Sequence, residues 1–263
     1  MAYRRALPGC PDCREPLRPG ARFCPRCGIA LAGRTPGTAA PAPRRPRRRS
    51  WTPEAWRRFA PVLWFYAAFL AISVAGAVAG AFVSAPSALL AASVAGAVLV
   101  LLCAVLARRE VVPLLRPAPL FRVHVLLTLP LFAALAAMLH FYVAALAGLG
   151  FEVPSLSAMF SDAGWPRWSV FVLGAAVPGV VEEIGLRGFV QTRLGESLGA
   201  RGALFAQAAL FAFLHLLPAS FPSHFLLGLG LGWLRLVTGS LYPGMAVHAA
   251  LNAIAFLREG PAG

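Results

Sequence analysis

The chain contains no lysine, and only ten of its 263 residues are acidic. All 24 basic side chains are therefore arginine, and the formal net charge is +14. Such usage, with abundant Ala, Gly and Pro, fits a GC-rich bacterial genome and carries no mechanistic information. Charge is scarce altogether, at 13% of residues against 59% apolar, where globular domains sit near a quarter and a half. The apolar excess is gathered into runs of about 18 to 25 residues, enough to cross a hydrocarbon layer of about 30 Å at about 1.5 Å per residue. That excludes an ordinary soluble helical enzyme in favour of a multi-pass membrane protein. No apolar leader precedes the first run, which begins near residue 61, so a cleaved signal peptide is not expected.

What charge there is lies at one end. Residues 1–60 hold fourteen arginines against Asp12, Glu15 and Glu54, while the remaining 203 residues carry only +3. A basic segment directly before an apolar run reads as a cytoplasmic anchor for anionic lipid, not as a nucleic-acid surface. Four of the five cysteines form CPDC (10–13) and CPRC (24–27), ten residues apart. A lone C-x-x-C would leave a redox pair open. Two at this spacing favour four thiolates, from Cys10, Cys13, Cys24 and Cys27, around one structural zinc ion. The segment resembles the short zinc ribbons common at the starts of bacterial membrane proteins; such a module depends on its metal to fold and fits a reducing cytoplasm. Nothing in it names a partner. Cys103 stands alone in an apolar helix and reads as packing.

Four regions follow: a zinc ribbon over 1–32, a basic Pro/Arg-rich linker and interfacial segment over 33–60, accessory membrane helices over 61–147, and a core over 165–257. "WTPEAWRRF" (51–59) predicts a short interfacial helix with Thr52 as N-cap, Pro53 at its first position, and Trp51 and Trp56 at the membrane boundary. Seven membrane segments are expected, near 61–84, 88–107, 121–147, 168–193, 201–217, 222–238 and 241–257. "SVAGAV" occurs at 73–78 and again at 93–98; small-residue helix faces generate such matches readily, so it is read as coincidence. Gly228 and Gly232 mark a close-packing face. Arginine placement, with Arg108, Arg109, Arg116, Arg122, Arg193, Arg201 and Arg235 inside, puts the N-terminus in the cytoplasm of a bacterial inner membrane. The loop 148–167, with Glu152, Asp162 and Arg167, falls outside.

Eight of the ten acidic residues fall in the tail, the loops or the chain end; Glu182 and Glu183 alone interrupt an apolar segment. A carboxylate at the centre of a membrane helix costs on the order of 2.5–3.5 kcal/mol on insertion scales, so such residues are functional candidates by default. Glu183 and Arg187 stand at i and i+4, with the Glu first, as a helical ion pair prefers. Glu182, about 100° round the helix, has no local partner. Pro178 and Gly179, one turn earlier, loosen the helix there. "FAFLH" (211–215) offers His215, with Gln207 on the same face to orient its ring. "HAALN" (248–252) offers His248 and Asn252 on one face, with Ala249 and Ala250 permitting close approach. Singly, each such residue is as well explained by an interhelical hydrogen bond. His124 and His140 illustrate that reading, and His224 reads as a loop-end residue.

E-E-x-x-x-R, F-x-x-x-H and H-x-x-x-N in this order, over roughly residues 165–257, resemble the CPBP family of intramembrane proteases, which includes type II CAAX prenyl endopeptidases and bacteriocin-immunity proteins. The resemblance implies an all-α bundle around a membrane-embedded cavity. In it Glu182 and His215 activate water, His248 and Asn252 stabilise the oxyanion, and Glu183 and Arg187 support the architecture. It implies a membrane-associated peptide or protein substrate. Gly185-Leu186 departs from the family's usual bulky Leu and Phe, and is expected to alter the cavity wall. Two other classes fit some of the same residues: a catalytically inactive binding or immunity protein of the same fold, and a proton- or metal-coupled transporter, whose repeat-related broken helices are missing from the sequence. An active-site metal is not expected. Glu182, His215 and His248 could supply two histidines and a carboxylate, but there is no His-Glu-x-x-His pairing, and Asn252 suits oxygen stabilisation better than zinc.

Overall fold

In a computed structural model, the described residues are Gly9, Cys10, Leu17, 53–117, Leu126, 128–151 and 155–259. Cys13, Cys24, Cys27, the linker 33–50, Trp51, the Thr52 cap, Arg122, His124 and Glu152 lie outside them. Contacts divide the chain into Met1–Thr52 and Pro53–Gly263. The second unit is built from helices, and no strand occurs among the described residues.

Two long helices come first, α1 (Pro53–Ala79) and α2 (Ala85–Leu106), followed by a short α3 (Arg108–Val111) that tightens into a 3-10 turn, Val112–Leu115. Next come α4 (Thr128–Gly148) and α5 (Leu156–Asp162), the latter capped by Ser155, whose hydroxyl accepts from the Ala158 amide at 3.0 Å. The interfacial segment expected before α1 is not separate. From Pro53 onward it is the first two turns of α1 itself, because Pro61 is carried inside the helix without ending it.

The next rod changes its winding three times. α6 (Trp168–Phe171) passes into a π stretch, Val172–Ala176, then into α7 (Val177–Glu182), then into a second π stretch, Glu183–Val190. Pro178 explains the first change. It has no amide hydrogen and its ring crowds the carbonyl four residues back, which is that of Gly174. The winding widens, and the Val177 amide reaches back to the Val172 carbonyl. α8 (Gln191–Leu214), a 3-10 turn Pro218–Ser220, α9 (Phe221–Thr238) and α10 (Tyr242–Arg258) complete the fold.

Among the described residues, four stretches are long and apolar enough to cross a membrane: Phe59–Ala79, Ala85–Leu106, Thr128–Gly148 and Trp168–Leu214. The last has 47 residues, which as one straight rod would span about 70 Å at about 1.5 Å per residue. It is not straight. Gly199 sits at φ 74°, ψ 169°, a conformation reserved for glycine, and the chain folds back there. Phe211 consequently returns to Arg187, whose guanidinium carbon lies 4.3 Å from the Phe211 ring centre. The break expected between the fourth and fifth segments is thus a single residue between helical turns, while α9 and α10 are shorter, at 18 and 17 residues.

Small residues bring these rods together. A Cβ on Gly228 would sit 2.9 Å from the Ala208 backbone, and one on Gly179 would meet Ala249 backbone at 2.9 Å. Gly185 does not shape a cavity wall. A Cβ there would lie 2.9 Å from the Phe65 ring and 3.2 Å from Val100, so the missing bulk admits α1 and α2, and Leu186 beside it is fully buried. Outside this core, Trp64, Phe82, Leu106 and Phe141 are among many large apolar side chains left exposed, the surface that hydrocarbon solvates.

Candidate active site

The site forms where the second π stretch meets α8 and α10. Winding at five residues per hydrogen bond displaces side chains from the ordinary helical progression, and the residues displaced here are the charged ones. Glu183 and Arg187 are both fully buried. A guanidinium nitrogen lies 3.1 Å from Glu183 Oε1. The three Arg187 nitrogens nevertheless lack an aligned hydrogen-bond acceptor, so the contact is ionic more than directional. The face of the Phe211 ring completes the guanidinium's surroundings through a cation–π contact.

Glu183 does more than pair with Arg187. The same Oε1 accepts from His248 Nδ1 at 3.1 Å. A Cβ on Gly244 would fall 2.9 Å from Glu183 Oε2, which places the carboxylate against the first turn of α10, the positive end of that helix. One carboxylate therefore pairs with Arg187 inside the π stretch and bonds that stretch to α10 through His248, while its other oxygen packs against Gly244. The sequence offered the pairing with Arg187 and not the one with His248.

Glu182 faces elsewhere. Its side chain retains 21% of its exposure, and its Oε2 stands 3.9 Å from His248 Nε2. That oxygen is buried and has no hydrogen-bond partner. His248 lies between the two glutamates, one nitrogen toward each. With Glu183 accepting from Nδ1–H, the imidazole's Nε2 is the nitrogen that faces Glu182 and the open side.

His215, just after the last residue of α8, directs its Nδ1 to the Phe211 carbonyl at 2.9 Å. That bond fixes the Nδ1–H tautomer and leaves an Nε2 lone pair. The sequence-level role for Gln207 as the orienting group is not realised. Its amide instead donates to the Gly228 carbonyl at 2.8 Å and to Leu204 at 3.1 Å, binding α8 to α9. Gln191 repeats the device, donating to the Gly232 carbonyl at 3.1 Å. Among the described residues, Glu182 and His215 share no direct hydrogen bond or ion pair. The Phe211 ring packs against both histidines, its centre 4.9 Å from that of His215 and 5.6 Å from that of His248.

Two placements were not legible in sequence. His224 is not a loop-end bystander: it lies in the first turn of α9, with its ring centre 3.7 Å from that of His215. Asn252 donates through Nδ2 to the Gly174 carbonyl at 3.1 Å, the carbonyl that Pro178 deprives of its ordinary helical partner. A proline four residues after a glycine, with a lone Asn on a later segment, is the only signal that could have pointed there. Among the described residues no three His, Cys, Asp or Glu side chains converge as a metal site does.

Residues 163–254 match the family model for type II CAAX prenyl endopeptidase Rce1-like proteins. Over these residues the chain is similar to that family. A second match, over residues 10–31, is to the zinc-ribbon domain. Against curated proteins and against solved structures the chain has no match. The Rce1-like domain begins just before α6 and ends within α10, so it contains Glu182, Glu183, Arg187, His215, His248 and Asn252 and leaves out α1, α2 and α4. Among the described residues the structure is all helical, and four of its stretches are apolar and long enough to cross a membrane. The two matches are to a membrane-protease family and to the zinc-ribbon domain.

Proposed function

We propose that the Rce1-like domain is an intramembrane glutamic endopeptidase acting on a membrane-associated protein or peptide. The observation that carries this reading is the contrast between two adjacent carboxylates. Glu183 is fully buried with its Oε1 held by Arg187 and His248, whereas Glu182 keeps 21% exposure on a cavity wall and has only the His248 nitrogen at 3.9 Å near its Oε2. A general base needs a free lone pair within reach of the water it deprotonates. Glu182 has one. In this reading Glu182 takes a proton from water, and the hydroxide attacks the scissile carbonyl carbon. His215, with its Nε2 lone pair, holds the water from the other side. The oxyanion is met by His248, which must then carry hydrogen on Nε2, and by the second N–H of the Asn252 amide. Collapse breaks the C–N bond, and the proton held by Glu182 passes to the leaving amine. Glu183 and Arg187 keep the presenting helix in place.

The ribbon's part is structural: Cys10, Cys13, Cys24 and Cys27 hold one zinc ion, whose charge stabilises four thiolates and thereby the fold of the small module. Cys10, the one described cysteine of the four, is buried, as a ribbon ligand would be. The N-terminus faces the bacterial cytoplasm, in keeping with fourteen arginines ahead of the first span. Labelling of single cysteines should find Arg201→Cys reactive from the cytoplasmic side; reactivity from outside would overturn the orientation.

The direct test compares the membrane peptidome of cells holding the wild-type chain with that of cells holding Glu182→Gln. Peptides that depend on Glu182 support the endopeptidase. Identical peptidomes, with the purified protein binding but never cutting membrane peptides, would replace it with a binding protein of the same fold.

A further inference from the structure

The protease chemistry does not say how a peptide bond reaches Glu182. A cavity of ≈ 390 Å³ lies between α1, α2, α5 and α7, and among the described residues Glu182 is the one ionisable side chain on its wall. α1 lines it with Ser73, Gly76 and Ala77, and α2 with Ala88, Ala92 and Ser93. Each set recurs at helical spacing along one face. The two copies of SVAGAV, which looked like a coincidence of small residues, therefore border one space, and both lie outside the matched Rce1-like domain. Each glycine marks a close approach. A Cβ on Gly76 would sit 2.7 Å from Ala92 Cβ, and one on Gly96 would sit 3.0 Å from the Phe69 ring. Each serine is left at the wall. Ser73 donates to its own helix at Phe69, 3.0 Å away, and keeps its acceptor lone pairs; Ser93 makes no hydrogen bond among the described residues.

The dimensions select the occupant. A helix is about 10 Å across and rises about 5.4 Å per turn, so this volume takes roughly one turn of helix and no more. An unwound chain is thinner, but in a water-poor site each of its amides and carbonyls then lacks a partner. A hydrocarbon tail would have no use for hydroxyls. A peptide backbone would, and the two repeat serines are the uncharged polar side chains lining α1 and α2 here.

We propose that this cavity is the substrate groove. It takes a short unwound stretch of an apolar transmembrane peptide with small side chains, bonds its backbone through Ser73 and Ser93, and delivers it to Glu182. The proposal rests on the protease reading for the last of those steps only.

The test uses the full chain in phosphatidylcholine–phosphatidylglycerol liposomes. The probe is a synthetic Leu-flanked transmembrane peptide with a central Ala-Gly-Ala-Ser stretch and a diazirine residue beside it, compared with an all-Leu peptide. In Glu182→Gln, photolabelling by the first peptide should map to 69–96 on α1 and α2 and exceed labelling by the all-Leu peptide at least tenfold. Ala92→Leu, which fills the cavity, should abolish it. Ser93→Ala should reduce it several-fold with unchanged thermal stability, and exposed Val98→Leu should leave it intact. The groove is overturned by equal labelling from both peptides, by labelling centred on the cleft between Leu139 of α4 and Ile254 of α10, or by a diazirine lipid that occupies 69–96 and resists displacement by the peptide. The two readings fail separately. Cleavage by the wild type with labelling elsewhere removes the groove and keeps the protease; labelling in the groove without cleavage does the reverse.

Discussion

Glu182 and Glu183 are adjacent in sequence and face two different regions of the molecule. Glu183 enters the tight seam among the second π stretch, α8 and α10, where every neighbour is fixed: Arg187 at 3.1 Å, His248 at 3.1 Å and the first turn of α10. Glu182 enters the loose side toward α1 and α2, where glycine, alanine and serine leave open volume. A carboxylate inside a membrane protein has to be neutralised, solvated or used. The seam neutralises Glu183, and the cavity leaves Glu182 to be used. The difference assigns architecture to one residue and chemistry to its neighbour, and it can be broken experimentally.

The largest effect is expected at the open carboxylate. Glu182→Gln keeps size and polarity and removes the base, so cleavage should fall to background. General-base groups contribute about 10²–10⁴ in rate. His215→Ala should do the same, and the double variant should be little slower than either single, because groups acting as one unit lose their effect together. Rates measured on a cleaved membrane peptide would settle it. Independent, multiplying losses for Glu182 and His215 would dissolve their partnership, which has no direct contact behind it.

The seam should respond in the opposite way, through stability. Glu183→Gln strands a buried guanidinium, and removing one partner of a buried ion pair costs about 3–5 kcal/mol. Thermal unfolding in detergent should show a large loss for Glu183→Gln and for Arg187→Leu, with partial recovery in the Glu183→Leu/Arg187→Leu pair, where no charge is left unpaired. If Glu183→Gln were as stable as the wild type and merely inactive, the division of labour between the glutamates would be wrong.

Much of this division is legible in the amino-acid sequence. The first three of the seven expected runs fall on α1, α2 and α4, because apolar length is a physical requirement of the bilayer. The fourth and fifth fall on the one stretch Trp168–Leu214, and the last two on the shorter α9 and α10. Glu183 with Arg187 is visible because the i,i+4 geometry is local. What escapes are contacts between different helices: His248 with Glu183, 65 positions away, and His224 against His215, across the turn from α8 to α9. The 3.6-residue period also misleads slightly, since the π windings at 172–176 and 183–190 shift the faces it assigns.

A smaller effect follows from the Asn252 contact. As an oxyanion donor Asn252 would cost about 10²–10³ in rate when truncated, yet it also holds the carbonyl that Pro178 leaves without an amide. Pro178→Ala restores that amide. In this background Asn252→Ala should lose its structural penalty, seen as a recovered melting temperature, and keep its catalytic one. Recovery of both stability and rate would make Asn252 purely architectural.

The smallest expected effect is none. A chain lacking residues 1–50 drops all four ribbon cysteines and cuts within the unit that ends at Thr52, leaving α1 and the site-bearing helices whole. It should cleave at the wild-type rate, and its bound zinc, measured by elemental analysis, should fall from one ion per chain to zero. The physical reason is that four thiolates close the zinc's coordination shell and leave no position for water or substrate. In the core, the carboxylate proposed as base already has a histidine nitrogen 3.9 Å away. Chelator should accordingly unfold the ribbon and spare the shortened chain. Stoichiometric zinc in the shortened chain, with cleavage lost to chelator and restored by zinc, would show instead that Glu182 works as a metal ligand. The contrast with Glu183 would then be one between a ligand and a salt bridge.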